Sequence, residues 1–303
     1  MHYGFIGLGN LGRNLAGSLI RNGFRVTITD IDRKNGEKLI EKGAVWASSA
    51  REVAEKVDAV ITCLPSPKVS EQVLTAPDGI LAGLKKGATW IEMSTLDTDA
   101  VTRLAKIAAE GGIRMMEAPV TGGVHLAASG EITVIAGGDK DLFELHGPAF
   151  KAMGKRIFHA GDLGKAAVIK VITNMLAFIH LCATGEALML AKKGGIDLTQ
   201  AFHIIAASSG NSFVHETEGQ VILNGSYNIN FTMDLALKDL GFALGFGREF
   251  GVPLELAGLV EQTFVRAKAM YGGDAWSSQV VKLLEDATGT DLRAPGFPAE
   301  LEA

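Results

Sequence analysis

A chain of 303 residues is longer than one hydrophobic core comfortably organises, so two domains are expected. Hydrophobic residues make up 47% and charged residues 21%, a globular balance that excludes extended disorder. The net charge of −5, with no basic stripe, argues against nucleic acid as a partner, because neutralising phosphates takes clustered Lys and Arg.

The N-terminus MHYGFIGLGN enters an apolar run at once, so no signal peptide is expected. Residues 3–7, 25–30, 59–64, 89–93, 113–117, 132–136 and 156–159 read as strands. Amphipathic helical stretches such as 11–21, 33–41 and 98–110 lie between them. That alternation predicts a Rossmann-type α/β domain, a doubly wound and mainly parallel sheet, over residues 1–162. From residue 163 the pattern changes. Residues 163–193 read as one long interdomain helix closed by Gly194 and Gly195. Helices at 198–207, 233–250, 255–270 and 276–286 then make residues 194–290 an all-α C-terminal domain. The end, 291–303, is rich in Gly, Pro and Ala and reads as a loosely held tail.

The apolar stretch 166–191 is interrupted by Lys170, Asn174, His180 and Glu186, groups that are costly in a bilayer. It therefore reads as a buried helix of a soluble protein with no membrane partner. Cys63 and Cys182 sit in apolar runs and suit a reducing, cytoplasmic setting. No spacing of His, Cys, Asp and Glu suggests a metal.

Gly7-Leu8-Gly9-Asn10-Leu11-Gly12 follows the first strand and opens the first helix. In that context Gly7 makes the tight turn, Gly9 lets a pyrophosphate approach the backbone, and Gly12 packs helix against strand. The helix start offers N–H groups and a positive dipole end to the phosphates. Asp30 ends the second strand, where a carboxylate accepts the ribose hydroxyls of NAD and repels the extra phosphate of NADP. It also suits a helix cap, and the cations Arg33 and Lys34 keep NADP possible. Leu64-Pro65-Ser66-Pro67 and Ser94-Thr95 lie at strand C-termini, where open α/β sheets bind ligands, although hydroxyl residues are common in any loop. Glu92 could be a solvent-facing strand residue.

Lys170 is the only formal charge between Lys165 and Glu186, and Asn174 shares its helix face one turn on. Either the lysine snorkels out of the core or it faces a cleft. In a cleft, burial and a nearby nicotinium ring would lower its pKa toward working pH, so that it could exchange a proton with a substrate oxygen.

Four motifs occur in the order found in β-hydroxyacid dehydrogenases: FIGLGNLG (5–12), EAPVTGG (117–123), GDLGKAAVIKVITN (161–174) and FTMDLALKDL (231–240). From residue 3 to about 285 the chain resembles that family, which includes 3-hydroxyisobutyrate dehydrogenase and glyoxylate/succinic semialdehyde reductases. The resemblance implies an NAD-dependent enzyme that interconverts a small hydroxy acid and its semialdehyde or keto form. It implies that Lys170 is the catalytic lysine with Asn174 beside it. It places Thr121, Gly122 and Gly123 on the substrate carboxylate, Phe231 and Asp239 on the substrate side, and Thr95 and Lys238 near the nicotinamide. Separately, amphipathic helices such as 242–250 carry more apolar surface than one domain would cover, so a homodimer or homotetramer is expected. Thr121 replaces the family's more usual Ser, and Thr173-Asn174 replaces a paired Asn-Asn.

Plainer readings stand beside these. Asp239 could pair with a lysine or face solvent, and Phe231 could be a core aromatic. His125 lies close to the carboxylate loop but a lone His is usually structural, while His180 and His203 read as packed in apolar helices. Pocket identity is expected to depend on His125 and residues 208–215, a segment that departs from 3-hydroxyisobutyrate enzymes. Two alternatives remain: an imine-reductase-like NADPH enzyme, against which Lys170 and Asp30 argue, and a non-catalytic NAD-binding assembly protein.

Overall fold

In the computed structural model, which describes residues 1–301, most of the short apolar runs become buried strands, while the run 156–159 becomes a largely exposed one. Strands β1 (His2–Ile6), β2 (Arg25–Thr29), β3 (Val45–Trp46), β4 (Ala59–Thr62), β5 (Thr89–Glu92) and β6 (Arg114–Glu117) form one sheet in the order β3-β2-β1-β4-β5-β6. Every pairing in it is parallel. A parallel sheet needs crossover helices on its faces, which is why even the polar positions Thr27, Thr62 and Glu92 of its inner strands are buried. The helices are α1 (Gly12–Arg21), α2 (Glu37–Glu41), α3 (Ala50–Glu55), α4 (Pro67–Thr75) and α5 (Thr98–Glu110). Their starts are marked locally: Ser49, Ser66 and Asp97 accept from the N–H groups of Glu52, Val69 and Ala100.

The strand order reverses between β1 and β4, and at such a switch point the crevice beyond the strand ends takes ligands. Past β6 the chain builds a smaller sheet from β7 (Val120–Thr121), β8 (Ile132–Ala136) and β9 (Gly154–His159). Helices α6 (Val124–Ser129) and α7 (Lys140–Met153) connect these strands. Paired bonds between Glu117 and Gly137 (3.0 and 2.8 Å) join the two sheets. Neither β3 nor β7 was expected, since two residues are too few to show a period.

Two compact units divide the chain at Lys170/Val171, inside α8 (Lys165–Lys193). The second unit continues with α9 (Leu198–Ala206), α10 (Phe213–Asn224), α11 (Met233–Phe250), α12 (Glu255–Tyr271) and α13 (Lys282–Thr288). Its core gathers Phe178, Leu181, Leu188, Leu240 and Phe264. Helix α8 is long and apolar enough, with mean hydropathy 1.8, to cross a membrane by length and composition. Only 33% of that stretch is buried, so it is not the fully buried helix expected.

Three expectations are corrected here. The tail is not loose: Leu292 is fully buried, Arg293 pairs with Glu285 at 2.8 Å, and the Ala294 N–H donates to Leu223 O at 3.0 Å. Phe297 meets Phe202 edge-on at 4.9 Å, adding an aromatic anchor that composition alone did not reveal. His180 and His203 are exposed rather than packed, because each lies on the outward face of its helix. His215 turns inward instead, stacked on Phe202 at 4.6 Å with Nε2 2.9 Å from the Phe202 carbonyl.

Candidate active site

The glycine turn sits beyond the end of β1, and each glycine meets a different constraint. Gly7 has φ +93°, and a Cβ there would lie 2.3 Å from Cys63 O. At Gly12 a Cβ would lie 2.0 Å from Gly7 O, so only hydrogen lets α1 start this close to the turn. At Gly9 a Cβ would meet nothing within 4 Å. The turn is thus closed on its inner side and open at Gly9, the shape a dinucleotide pyrophosphate requires. Asn10 braces the helix start by accepting from Arg13 (3.0 Å) at its side chain and Asn14 (2.9 Å) at its backbone, and Leu11 is the N-cap.

Asp30 supports the turn from below. Its Oδ2 accepts the Leu8 N–H at 2.6 Å, and Oδ1 accepts from Asp32 N at 2.9 Å and Asn35 Nδ2 at 3.0 Å. The helix-cap role falls to Asp32, which accepts from Lys34 N. Arg33 stacks over Trp46 at 5.3 Å, and Ile31 is fully exposed beside them, an apolar rim that sequence reasoning passed over.

On the other side of the switch point Leu64 N–H donates to Ser94 Oγ at 2.7 Å, with Pro65 exposed and Thr95 partly buried. Ser94 is held by Glu92, whose Oε1 accepts the Ser94 N–H at 2.8 Å and its hydroxyl. Glu92 is fully buried, not solvent-facing, because β5 is flanked by β4 and β6 and covered on both faces. Burial raises its pKa, opposed by the Ser94 bonds.

Lys170 is 7% exposed, whereas its helix neighbours Ile169, Ile172 and Leu176 are 38–43% exposed. The lysine is buried while the two isoleucines beside it face outward. Burial, with the Glu92 carboxyl, pushes the Cys63 thiol up to about 12, and the charge of Lys170 opposes that rise. Lys170 lies within one turn of Ala166 and Ala167, whose N–H groups reach Glu117 at the end of β6. Glu117 is in register with Thr62 at the end of β4, so this turn of α8 belongs to the same end of the sheet as the loop after β4.

The loop Thr121-Gly122-Gly123 leaves β7 with φ +124° and +91° at the two glycines, backbone conformations that favour glycine. A Cβ on Gly123 would lie 3.0 Å from the His125 ring, so the imidazole rests against this loop; burial lowers its pKa. Helix α6, which follows, is tied to α1 through Arg21 Nη2 to Ala128 O at 2.8 Å.

In the second unit Asp239 is 1% exposed and joins two other candidates. It accepts from Asn174 Nδ2 at 2.6 Å and pairs with Lys238 Nζ at 2.7 Å. A carboxylate only accepts, so the Asn174 amide nitrogen faces it and the carbonyl oxygen points elsewhere. Phe231 packs on Phe178 at 6.1 Å, its carbonyl held by Ser277 N–H at 2.8 Å. Residues 208–212 form an exposed loop before α10, with Ser212 capping that helix through His215 N–H at 3.0 Å. Among the described residues no group of three His, Cys, Asp or Glu could hold a metal.

Sheet order, glycine turn and buried lysine define a dinucleotide-dependent oxidoreductase. Residues 2–161 match the family model for the NAD binding domain of 6-phosphogluconate dehydrogenase, and residues 164–284 match that for the NAD-binding domain of NADP-dependent 3-hydroxyisobutyrate dehydrogenase. The chain is 34% identical over 290 residues to 2-(hydroxymethyl)glutarate dehydrogenase of Eubacterium barkeri, covering 95% of this chain and 96% of that one. It is 31% identical over 279 residues to the cytokine-like nuclear factor N-PAC of Gallus gallus, covering 92% of this chain but only 50% of that one. A solved 3-hydroxyisobutyrate dehydrogenase (ygbJ) from Salmonella typhimurium superposes with a TM-score of 0.87 at 30% identity, over 93% of this chain and 99% of that one. The chain belongs to the β-hydroxyacid dehydrogenase family, NAD(P)-dependent oxidoreductases acting on CH–OH groups.

Proposed function

We propose that this protein interconverts a small hydroxy acid and its semialdehyde or keto form, with Lys170 as the general acid and base. The observation that carries the reading is a buried amine among outward-facing isoleucines, at the end of the sheet where the glycine turn opens. A bound nicotinamide supplies the acceptor or donor of the hydride. Following the family resemblance, Thr121, Gly122 and Gly123 are assigned to the substrate carboxylate, with backbone N–H groups freed by the glycines. In oxidation, neutral Lys170 takes the hydroxyl proton as the carbinol C–H bond gives up its hydride and C=O forms. In reduction, the ammonium returns that proton to the carbonyl oxygen. Asn174, one turn along α8 and fixed by Asp239, orients the reacting group through its carbonyl oxygen. The family resemblance assigns Phe231 and Asp239 to the substrate and Lys238 to the cofactor.

We assign NAD as the preferred cofactor, with Gly7, Leu8, Gly9, Asn10, Leu11, Gly12, Asp30, Leu64, Pro65 and Thr95 around it. The negative charge of Asp30 supports this, since a ribose phosphate placed there meets a carboxylate. The same reading places the enzyme in the cytoplasm and pairs it with a second copy through the exposed stripe Ile169, Ile172 and Leu176.

The test follows reduced-nicotinamide absorbance across two- to four-carbon hydroxy acids with each cofactor. Turnover that falls about 10²-fold or more in Lys170→Ala, with NADH binding intact, supports the reading. Near-normal turnover in that variant refutes the lysine's role, and a clear NADPH preference refutes the Asp30 argument.

A further inference from the structure

Glu117 ends β6 and heads the segment that carries the substrate loop, yet nothing in the proposed reaction uses its carboxylate. The residue is 2% exposed. Its Oε1 accepts from Gly164 N–H at 2.6 Å and Ala166 N–H at 3.1 Å, and Oε2 accepts from Ala167 N–H at 2.9 Å. These amides belong to the start of α8, where a helix leaves N–H groups without intrahelical partners and concentrates positive potential. Three donors shared over two oxygens fix both the height and the rotation of the first turn. The fit is close: a Cβ on Gly137 would come within 2.5 Å of Glu117 Oε1. Burial pushes this carboxyl up to about 7 against those bonds.

Lys170 lies three residues beyond Ala167, within one turn of the anchored amides. We propose that Glu117 is a positioning residue that fixes the start of α8, and so the aim of Lys170, against the loop Thr121-Gly122-Gly123 that follows it in the chain. The inference rests on Lys170 being the acid–base group. A helix is stiff enough to carry a small shift at its first turn to the next, and a displacement of about 1 Å at a reacting group can cost about 10²-fold in rate. Gln at this position would face backbone donors with an NH₂ group of its own. Asp would keep the charge but draw it back by one methylene.

E117Q and E117D are compared with the wild type for melting temperature, NADH affinity, steady-state kinetics and the rate at which an amine-reactive reagent labels Lys170. The expected result for E117Q is a kcat lower by about 10- to 100-fold, with KM and NADH affinity within about threefold. Lys170 labelling changes by at least about threefold, and E117D lies between. Variants that melt earlier yet keep wild-type kcat and labelling overturn the proposal, leaving a helix cap with no directional role. If the wild type turns over no hydroxy acid, the reaction assignment fails, while the labelling rates still decide the Glu117 inference. If E117Q does not fold, E117D decides it by the same measurements.

Discussion

At Gly12 a Cβ would lie 2.0 Å from a backbone carbonyl, whereas at Gly9 it would meet nothing. The same added methyl should therefore have two different consequences. Gly12→Ala is expected to lose about 2 kcal/mol or more of stability, because neither helix nor turn can yield without breaking backbone bonds. Gly9→Ala should melt with the wild type but bind NADH at least about tenfold more weakly, since the methyl enters the space for the pyrophosphate. Thermal melts and fluorescence titration with NADH separate the two. Asp30 combines both kinds of role. Because its Oδ2 holds Leu8 N–H at 2.6 Å, Asp30→Ser should relax discrimination against NADP and weaken both cofactors. A variant that simply exchanged one cofactor preference for the other at full affinity would show that the Leu8 bond is dispensable. The glycines and Lys170 were legible in the sequence because each breaks a local rule: a tight turn before a helix, and a charge in an apolar run. Glu92 was not legible, since a strand-end carboxyl reads the same whether its face is covered or open. Only the helices on both sides of the sheet decide that.

Elements with a strong period were readable nearly to the residue, as α5 and α11 show. The segment before Asn224 was not read as a helix because α10 mixes Glu216, Glu218 and Gln220 with buried Val214, Val221 and Ile222 without a clean stripe. The C-terminal tail shows the opposite failure: Gly and Pro gave it the composition of a linker, while a few side chains anchor it. Arg293 contacts Glu285 and Tyr227 Oη, each at 2.8 Å, and Asn224 Nδ2 reaches Phe297 O at 2.8 Å. Removing residues 291–303 would uncover the pocket of Leu292 and leave the buried Glu285 without its cation. Truncation should cost the helical unit about 3 kcal/mol or more, read as a lower melting temperature. A truncated chain melting like the full one would mean that these contacts hold the tail without supporting the unit.

Across the whole molecule, the two compact units carry buried ionisable groups whose proton linkage has opposite signs. In the first unit, His146 is 1% exposed, its Nδ1 lies 3.0 Å from Tyr3 Oη, and its Nε2 is buried without a partner. Burial brings its pKa from the ordinary 6.5 down to about 4. The unfolded chain then binds more protons between those values, so this group's contribution is complete above pH 6.5 and is lost as pH falls through about 4. In the second unit, burial pushes Glu218 from 4.5 up to about 8, with Oε2 likewise unpartnered. Here the folded state holds the proton more tightly. The contribution is complete below pH 4.5 and is lost as pH rises through about 8. Stability should therefore decline on both sides of an intermediate optimum. His146 contributes to the acid limb and Glu218 to the alkaline limb, where Glu117 and Glu92 of the first unit act in the same direction. His146→Gln is expected to flatten the acid limb and leave the alkaline one, and Glu218→Gln should do the reverse. Differential scanning calorimetry at half-unit steps from about pH 4 to 9 resolves this, since two units need not melt in one transition. If each variant shifts the whole curve without changing either slope, then other groups carry the pH dependence and these two are simply buried.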